Sequence, residues 1–120
     1  MENKRPQRVA DQLLHEVARA VQHDVKDPRV GFVTFTSARV SPDLRVAWIY
    51  YTVLGDEKAR EGTRRGLESA TPFLRRTLGQ ALRLKSVPEL RFDYDDAVER
   101  GLRMEELLGN IRDDAKPTDR

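Results

Sequence analysis

Two small groups of side chains in this 120-residue chain have the types and spacing that chemistry could use. Asp93, Asp95 and Asp96 offer carboxylate oxygens to a hard cation such as Mg²⁺ or Mn²⁺. On a strand, alternate side chains share a face, so Asp93 and Asp95 would point outward together, with Asp96 in the following turn. A solvated acidic edge explains the same residues, and it is the simpler reading. His15 and His23 lie eight apart on one predicted helix with no third ligand beside them. They read as surface or boundary histidines. The chain has no GxxxxGK[ST] loop, so nucleotide hydrolysis is unsupported. A catalyst needs a nucleophile with its base, or a metal site, and neither stands out. The sequence therefore predicts a protein that is not an enzyme and needs no cofactor.

The arginines offer a different chemistry. Residues 60–85 carry seven cations (Arg60, Arg64, Arg65, Arg75, Arg76, Arg83, Lys85) against two anions, Glu61 and Glu68. Residues 86–108 carry three cations against seven anions, so the formal net charge of +2 hides a bipolar chain. On a helix, Arg76, Gln80 and Arg83 would share one face at i, i+4 and i+7, opposite Leu74, Leu78 and Ala81. A basic helical face suits a phosphate backbone. An ordinary solvated face is the alternative. Arg5, Arg8 and Arg29 flank the first predicted helix without an obvious structural role and join the candidates for phosphate contacts.

The elements that must position these side chains follow from hydrophobic periodicity. Val9, Leu13, Val17, Val21 and Val25 make one stripe and predict a helix over 6–25, with Pro6 in its first turn and Asp27-Pro28 beyond its end. FVTFTSARV at 32–40 predicts a strand in which Val33 and Phe35 share one phase and Ala38 and Val40 the other, so a β-bulge is expected near Ser37. Ser41-Pro42-Asp43 makes a turn. RVAWIYYTV at 45–53 predicts a second strand with Ala47, Ile49, Tyr51 and Val53 facing the core. Trp48 and Tyr50 face the other way and suit stacking on bases. They lack alternating basic neighbours along the chain, which favours packing against the C-terminal segment.

Asp56 caps a helix predicted over 57–70. Pro72 lies inside a periodic pattern that runs from Leu67 to Leu82. It lacks an amide proton and disfavours helical geometry at Thr71, so a break is expected at Ala70-Thr71-Pro72, with a further helix over 72–84. Gly62 and Gly66 each weaken a helix by about 1 kcal/mol relative to alanine, so tertiary packing must hold the first of these helices. Leu90, Phe92 and Tyr94 alternate with Arg91, Asp93 and Asp95 and predict a third strand. Residues 97–111 predict a last helix with Met104, Leu107, Leu108 and Ile111 on one side.

Length and composition set the bounds. One domain of this size buries about two-thirds of its unfolded surface, enough for a two-layer core. The absence of cysteine excludes a disulfide scaffold and fits a reducing cytosol. No apolar run approaches the ~20 residues that cross a bilayer, and MENKRPQRVADQ has no apolar signal region. A cytoplasmic chain with no membrane partner is expected, and nothing argues against a monomer.

The predicted fold is α+β, in the order helix, strand, strand, helix, kink, helix, strand, with a three-stranded sheet covered on one face by helices. That order resembles the type II KH domain, a single-strand nucleic-acid binder. Ordinary KH domains grip the backbone with a GXXG loop, yet the glycines at 31, 55, 62, 66, 79, 101 and 109 include no pair three apart.

At higher resolution the sequence resembles bacterial ribosome-binding factor A over residues 5–111. The resemblance rests on Arg5-Pro6-Gln7-Arg8-Val9, Val25-Lys26-Asp27-Pro28-Arg29-Val30-Gly31 and Val40-Ser41-Pro42-Asp43-Leu44. Leu82-Arg83-Leu84-Lys85-Ser86-Val87-Pro88-Glu89-Leu90, Phe92, Tyr94 and Arg100-Gly101-Leu102-Arg103-Met104 complete it. Each is weak alone, but in order and at this spacing they are specific. That family replaces the GXXG loop by a kink with an Ala-x-Gly motif. Ala70 matches the alanine, and Pro72 stands where the glycine belongs.

The resemblance implies a KH-like RNA-binding domain over 1–111, and polar composition predicts a disordered tail over 112–120. It also implies a non-catalytic assembly factor of the small ribosomal subunit, linked to cold adaptation. Such a factor would bind the immature 30S subunit and 16S rRNA, help 5′-end processing, and be released by an assembly GTPase. The expected rRNA contacts are Arg64, Arg65, Arg75, Arg76, Arg83 and Lys85, with Arg5, Arg8, Arg29 and Arg45 as a second set. The competing readings are a metal-dependent enzyme built on the three aspartates and a protein–protein adaptor that uses the acidic strand and last helix.

Overall fold

A computed structural model describes residues 4–97 together with Gly101, Glu105, Leu107 and Leu108. The first apolar stripe forms helix α1, Arg5–His23, with Pro6 in its first turn. Val9, Leu13, Val17 and Val21 are buried beneath it. The helix ends where the Asp24 amide donates to the Ala20 carbonyl at 2.7 Å, so Val25 packs half-buried just past the last turn.

Strands β1 (Phe32–Val40) and β2 (Val46–Leu54) pair antiparallel, and β3 (Glu89–Tyr94) pairs parallel to β2, which is central. The register shifts between Phe35 and Ser37, leaving Thr36 as the extra residue. This is the expected bulge. It lets Val33 and Phe35 share the inner face with Ala38 and Val40, although they belong to opposite phases of the sequence. Ala47, Ile49, Tyr51 and Val53 point inward and are buried, as their alternation predicts. Phe35, Tyr51, Phe92 and Tyr94 meet in tilted or edge-on ring contacts across all three strands.

Helix α2 departs from expectation. Helices predicted over 57–70 and 72–84 form one helix, Glu57–Ala81, with Pro72 inside it. The Asp56 carboxylate caps it by accepting the Ala59 amide at 2.9 Å. Proline in a helix interior costs about 3 kcal/mol. Leu67, Leu74 and Leu78 lie in one stripe on both sides of it and are fully buried. Each contributes about 1.5–3 kcal/mol by leaving water, so the shared core outweighs the local penalty. The Thr71 hydroxyl also donates to the Leu67 carbonyl at 2.9 Å, within the turn that the proline disturbs.

The glycines of α2 serve close approach. A Cβ on Gly66 would lie 2.5 Å from the Val30 Cγ2, and one on Gly62 would lie 3.2 Å from the Arg29 carbonyl oxygen. Between them the Thr63 hydroxyl, fully buried, accepts the Gly31 amide at 3.2 Å. The packing that the weak helix requires is therefore the 29–31 loop lying directly on it.

The layers are two helices on one face of a three-stranded sheet, an α+β arrangement. Of the predicted last helix, Gly101, Glu105, Leu107 and Leu108 are helical and exposed, whereas Met104 and Ile111 lie outside the described residues. The predicted tail, 112–120, lies outside them as well.

Candidate nucleic-acid interface

The end of α2 positions the centre of the site. Leu82 ends the helix by donating its amide to the Leu78 carbonyl at 2.9 Å, and the Leu84 amide reaches back to the Gly79 carbonyl at 3.1 Å. Between them Arg83 takes a left-handed backbone, φ 52°. This is the termination usually made by glycine, here with an arginine at the left-handed position. It takes Arg83 off the helix. The basic face expected from Arg76, Gln80 and Arg83 therefore does not form as one row.

Arg83 instead faces a cleft that joins three distant segments. Arg5 comes from the start of α1, Arg45 from the turn between β1 and β2, and Arg83 and Lys85 from the loop between α2 and β3. The cavity they share is about 590 Å³. Its turn is tightly built. The Ser41 amide donates to the Val46 carbonyl at 2.9 Å, and the Ser41 hydroxyl accepts the Val46 amide at 3.0 Å. The Glu89 amide donates to the Arg45 carbonyl at 2.8 Å and so ties the turn to β3. Leu44, also lining the cleft, has a left-handed backbone with φ 61°. Leu44 and Arg83 are the only non-glycine residues of positive φ among the described residues, and both border this one cavity. Such strain costs about 1–2 kcal/mol per residue and gathers at functional sites.

Asp43 is the one carboxylate in the cleft lining. Its pKa is lowered, chiefly by the Ser41 hydroxyl at 2.7 Å and then by the Arg45 amide at 3.1 Å. It lies 3.9 Å from the Arg45 guanidinium. Arg83 and Lys85 thus lie beside Arg45, whose neighbour Asp43 is already engaged with its own turn. The arrangement can hold phosphate oxygens.

The other expected contacts divide by what holds them. Arg64 pairs with Glu61 at 2.6 Å and with Glu68 at 2.5 Å, while Arg65 reaches Glu61 at 3.1 Å. The Arg64 hydrogen bond is the largest cause that brings the Glu61 carboxyl down to about 2. These four side chains largely neutralise one another. Arg75 donates to the backbone carbonyls of Pro88 and Val87 at 3.2 and 2.8 Å. It fastens α2 to the approach of β3, a role that no sequence signal indicates. Arg29 forks onto Asp27 at 2.6 Å and donates to the Ser69 hydroxyl at 3.0 Å. Arg8 and Arg76 are exposed and form no ion pair among the described residues. The structure therefore gathers Arg5, Arg45, Arg83 and Lys85 and leaves the other six expected contacts apart from that cleft. Ala70 and Thr71 are half-buried and Pro72 is exposed, all within the continuous helix.

The acidic cluster is not gathered. Asp93 lies on the outer face of β3, opposite Tyr50 in the register. Asp95 accepts the Thr36 hydroxyl at 2.6 Å and the Ala97 amide at 2.9 Å. Among the described residues no three His, Asp or Glu side chains are placed to share a metal ion, and no helix is long and apolar enough to cross a membrane.

The family model described as Ribosome-binding factor A matches residues 5–108. A relative of that name from Geobacter sulfurreducens is 50% identical over 107 residues, covering 89% of this chain and 91% of its own. The solution structure of a Thermotoga maritima protein described as a putative ribosome-binding factor A superposes with a TM-score of 0.67 at 32% identity, over 78% of this chain and 90% of that one. The ribosome-binding factor A of Thermus thermophilus, as a homology model fitted into a cryo-EM map of its 30S complex, gives a TM-score of 0.62 at 30% identity, over 72% of this chain and 91% of that one. The chain spanning this strained basic cleft and the helix-backed sheet belongs to the ribosome-binding factor A family.

Proposed function

We propose that this protein is a non-catalytic assembly factor that binds the immature 30S subunit through 16S rRNA and assists its late maturation, including 5′-end processing. The observation that carries the reading is the convergence of Arg5, Arg45, Arg83 and Lys85 from three distant segments on one cleft. Basic side chains lining one cleft suit an anionic partner, and a 16S phosphate backbone is the partner that membership of this family favours. The 30S complex of the Thermus thermophilus relative supports the same choice. Arg8 and Arg76, exposed and without ion pairs among the described residues, extend the contact surface. Arg29, Arg64 and Arg65 contribute by exchanging an internal carboxylate for a phosphate. Arg75 acts indirectly by holding the loop that carries Arg83 and Lys85. The protein works in the cytoplasm as a monomer, without a cofactor, in adaptation to cold, and an assembly GTPase completes its release.

The test is co-sedimentation with separated small and large subunits at low and high salt. The expected result is binding to the small subunit alone, weakening as salt rises. Equal binding to both subunits would reduce the cleft to a generic basic surface, and no binding to either would overturn the proposal.

A further inference from the structure

The basic cleft lies at one end of the fold and leaves the outer face of the sheet unused. The helices cover the inner face, where Ala47, Ile49, Tyr51 and Val53 are buried. Trp48 and Tyr50 point the other way from the central strand and are only half-buried. Along the chain they have no alternating basic neighbours, but strand pairing supplies them. Arg39 of β1 and Arg91 of β3 stand on the same rung as Trp48, one on each side. The Arg39 guanidinium carbon lies 5.1 Å from the Trp48 ring centroid. Leu107 and Leu108, two described residues beyond β3, are themselves 58% and 47% exposed.

We propose that this outer sheet face is a second RNA surface, which takes a short single-stranded segment. Its bases stack on Trp48 and Tyr50, and its phosphates are held by Arg39 and Arg91. Alternate residues on a strand are about 6.6 Å apart, which sets the separation of the two rings. That is about twice the 3.4 Å step of a duplex strand, so the rings match bases splayed from one another and not a stacked helix. Base–aromatic stacking tolerates any sequence, and an arginine over the ring adds a cation–π contact. Among the described residues, carboxylates also lie on this face. Glu89 pairs with Arg91 at 2.8 Å, and Asp93 shares the Tyr50 rung. They confine the phosphates to the Trp48 rung, and Asp93 offers an acceptor to the amino edge of a base lying on Tyr50.

Trp48 is the only tryptophan, so its emission reports on this face alone. The intact protein is titrated with a six-nucleotide single-stranded RNA of mixed sequence, and separately with the same sequence annealed as a duplex. Saturable quenching by the single strand, with little by the duplex, is expected. Arg39→Ala with Arg91→Ala, both at exposed positions, should weaken that binding about tenfold at low salt, because two phosphate contacts are lost. Trp48→Leu, followed by anisotropy of a labelled oligonucleotide, should weaken it at least about fivefold. Arg83→Ala with Lys85→Ala in the cleft should leave the quenching unchanged, which separates this surface from the one proposed for subunit binding. Absence of quenching, equal quenching by the duplex, or quenching indifferent to the Arg39 and Arg91 substitutions would each overturn the proposal. So would an emission change that follows protein concentration without RNA, because the face would then meet a second copy of the chain.

Discussion

Arg83 has two opposing roles in this structure, and the substitution Arg83→Gly separates them. Its backbone holds φ 52° at the end of α2, between the Leu82 and Leu84 amides that close the helix. A side chain in that conformation costs about 1–2 kcal/mol, which glycine avoids. Glycine brings back some unfolded-state entropy, roughly 0.5–1 kcal/mol, so the net gain spans about 0–1.5 kcal/mol and centres near about 0.8 kcal/mol. For a domain of this size that raises Tm by about 2–5 °C. The same substitution removes one of the four cations from the cleft. Affinity for small-subunit RNA should fall, and the slope of log affinity against log salt should lose about 0.7 if the segment is single-stranded. Arg83→Ala serves as the control: it removes the guanidinium and keeps the strained backbone, so affinity falls with no gain in Tm. The assays are thermal unfolding by circular dichroism and RNA binding across a salt series. A glycine variant that melts lower would show the backbone to be unstrained. A variant more stable and unchanged in affinity and salt slope would refute the phosphate role of Arg83.

Two adjacent arginines should behave differently. Arg75→Ala loses its bonds to the Pro88 and Val87 carbonyls and should lower stability by about 1–3 kcal/mol in urea unfolding. Arg76→Ala has no such bond and should alter only RNA affinity; equal stability losses would contradict the assignment. Gly66→Ala places a Cβ 2.5 Å from the Val30 Cγ2, so a loss of about 1–3 kcal/mol is expected, and a neutral result would mean that the 29–31 loop yields easily. The Asp27 carboxyl is held down at about 2, first by the Arg29 guanidinium and then by the Arg29 amide. Because this pKa lies below the ordinary 3.8, its stabilising contribution is present above pH 4 and is lost as pH falls towards 2. An NMR titration of Asp27 should find its midpoint near 2, and a midpoint near 3.8 would show that the Arg29 fork does not persist in solution.

Much of this was legible in the sequence because the signals are local. The alternation of Ala47, Ile49, Tyr51 and Val53 named the inner face of β2, and the phase slip after Phe35 located the bulge. A strand's period of two cannot change face without an extra residue, so the pattern alone decides. The stripe of α1 is a similar case. Ten basic residues could also be named as candidate contacts from composition and resemblance.

What only the tertiary structure decided concerns residues far apart in sequence. Pro72 argues for a break by every local rule, yet Leu67, Leu74 and Leu78 are buried in one core and hold a single helix through it. Side-chain charge says nothing of distant partners, so the sequence could not show that Arg29 reaches Ser69, or that Arg75 serves two carbonyls. Nor could it show that Arg5, Arg45, Arg83 and Lys85 border one cavity, or that Trp48 lies between Arg39 and Arg91. Periodicity reports which side of an element is apolar. Which charges meet depends on strand register, on where α2 stops and on the left-handed residues that turn the chain, and those are set by packing across the whole core.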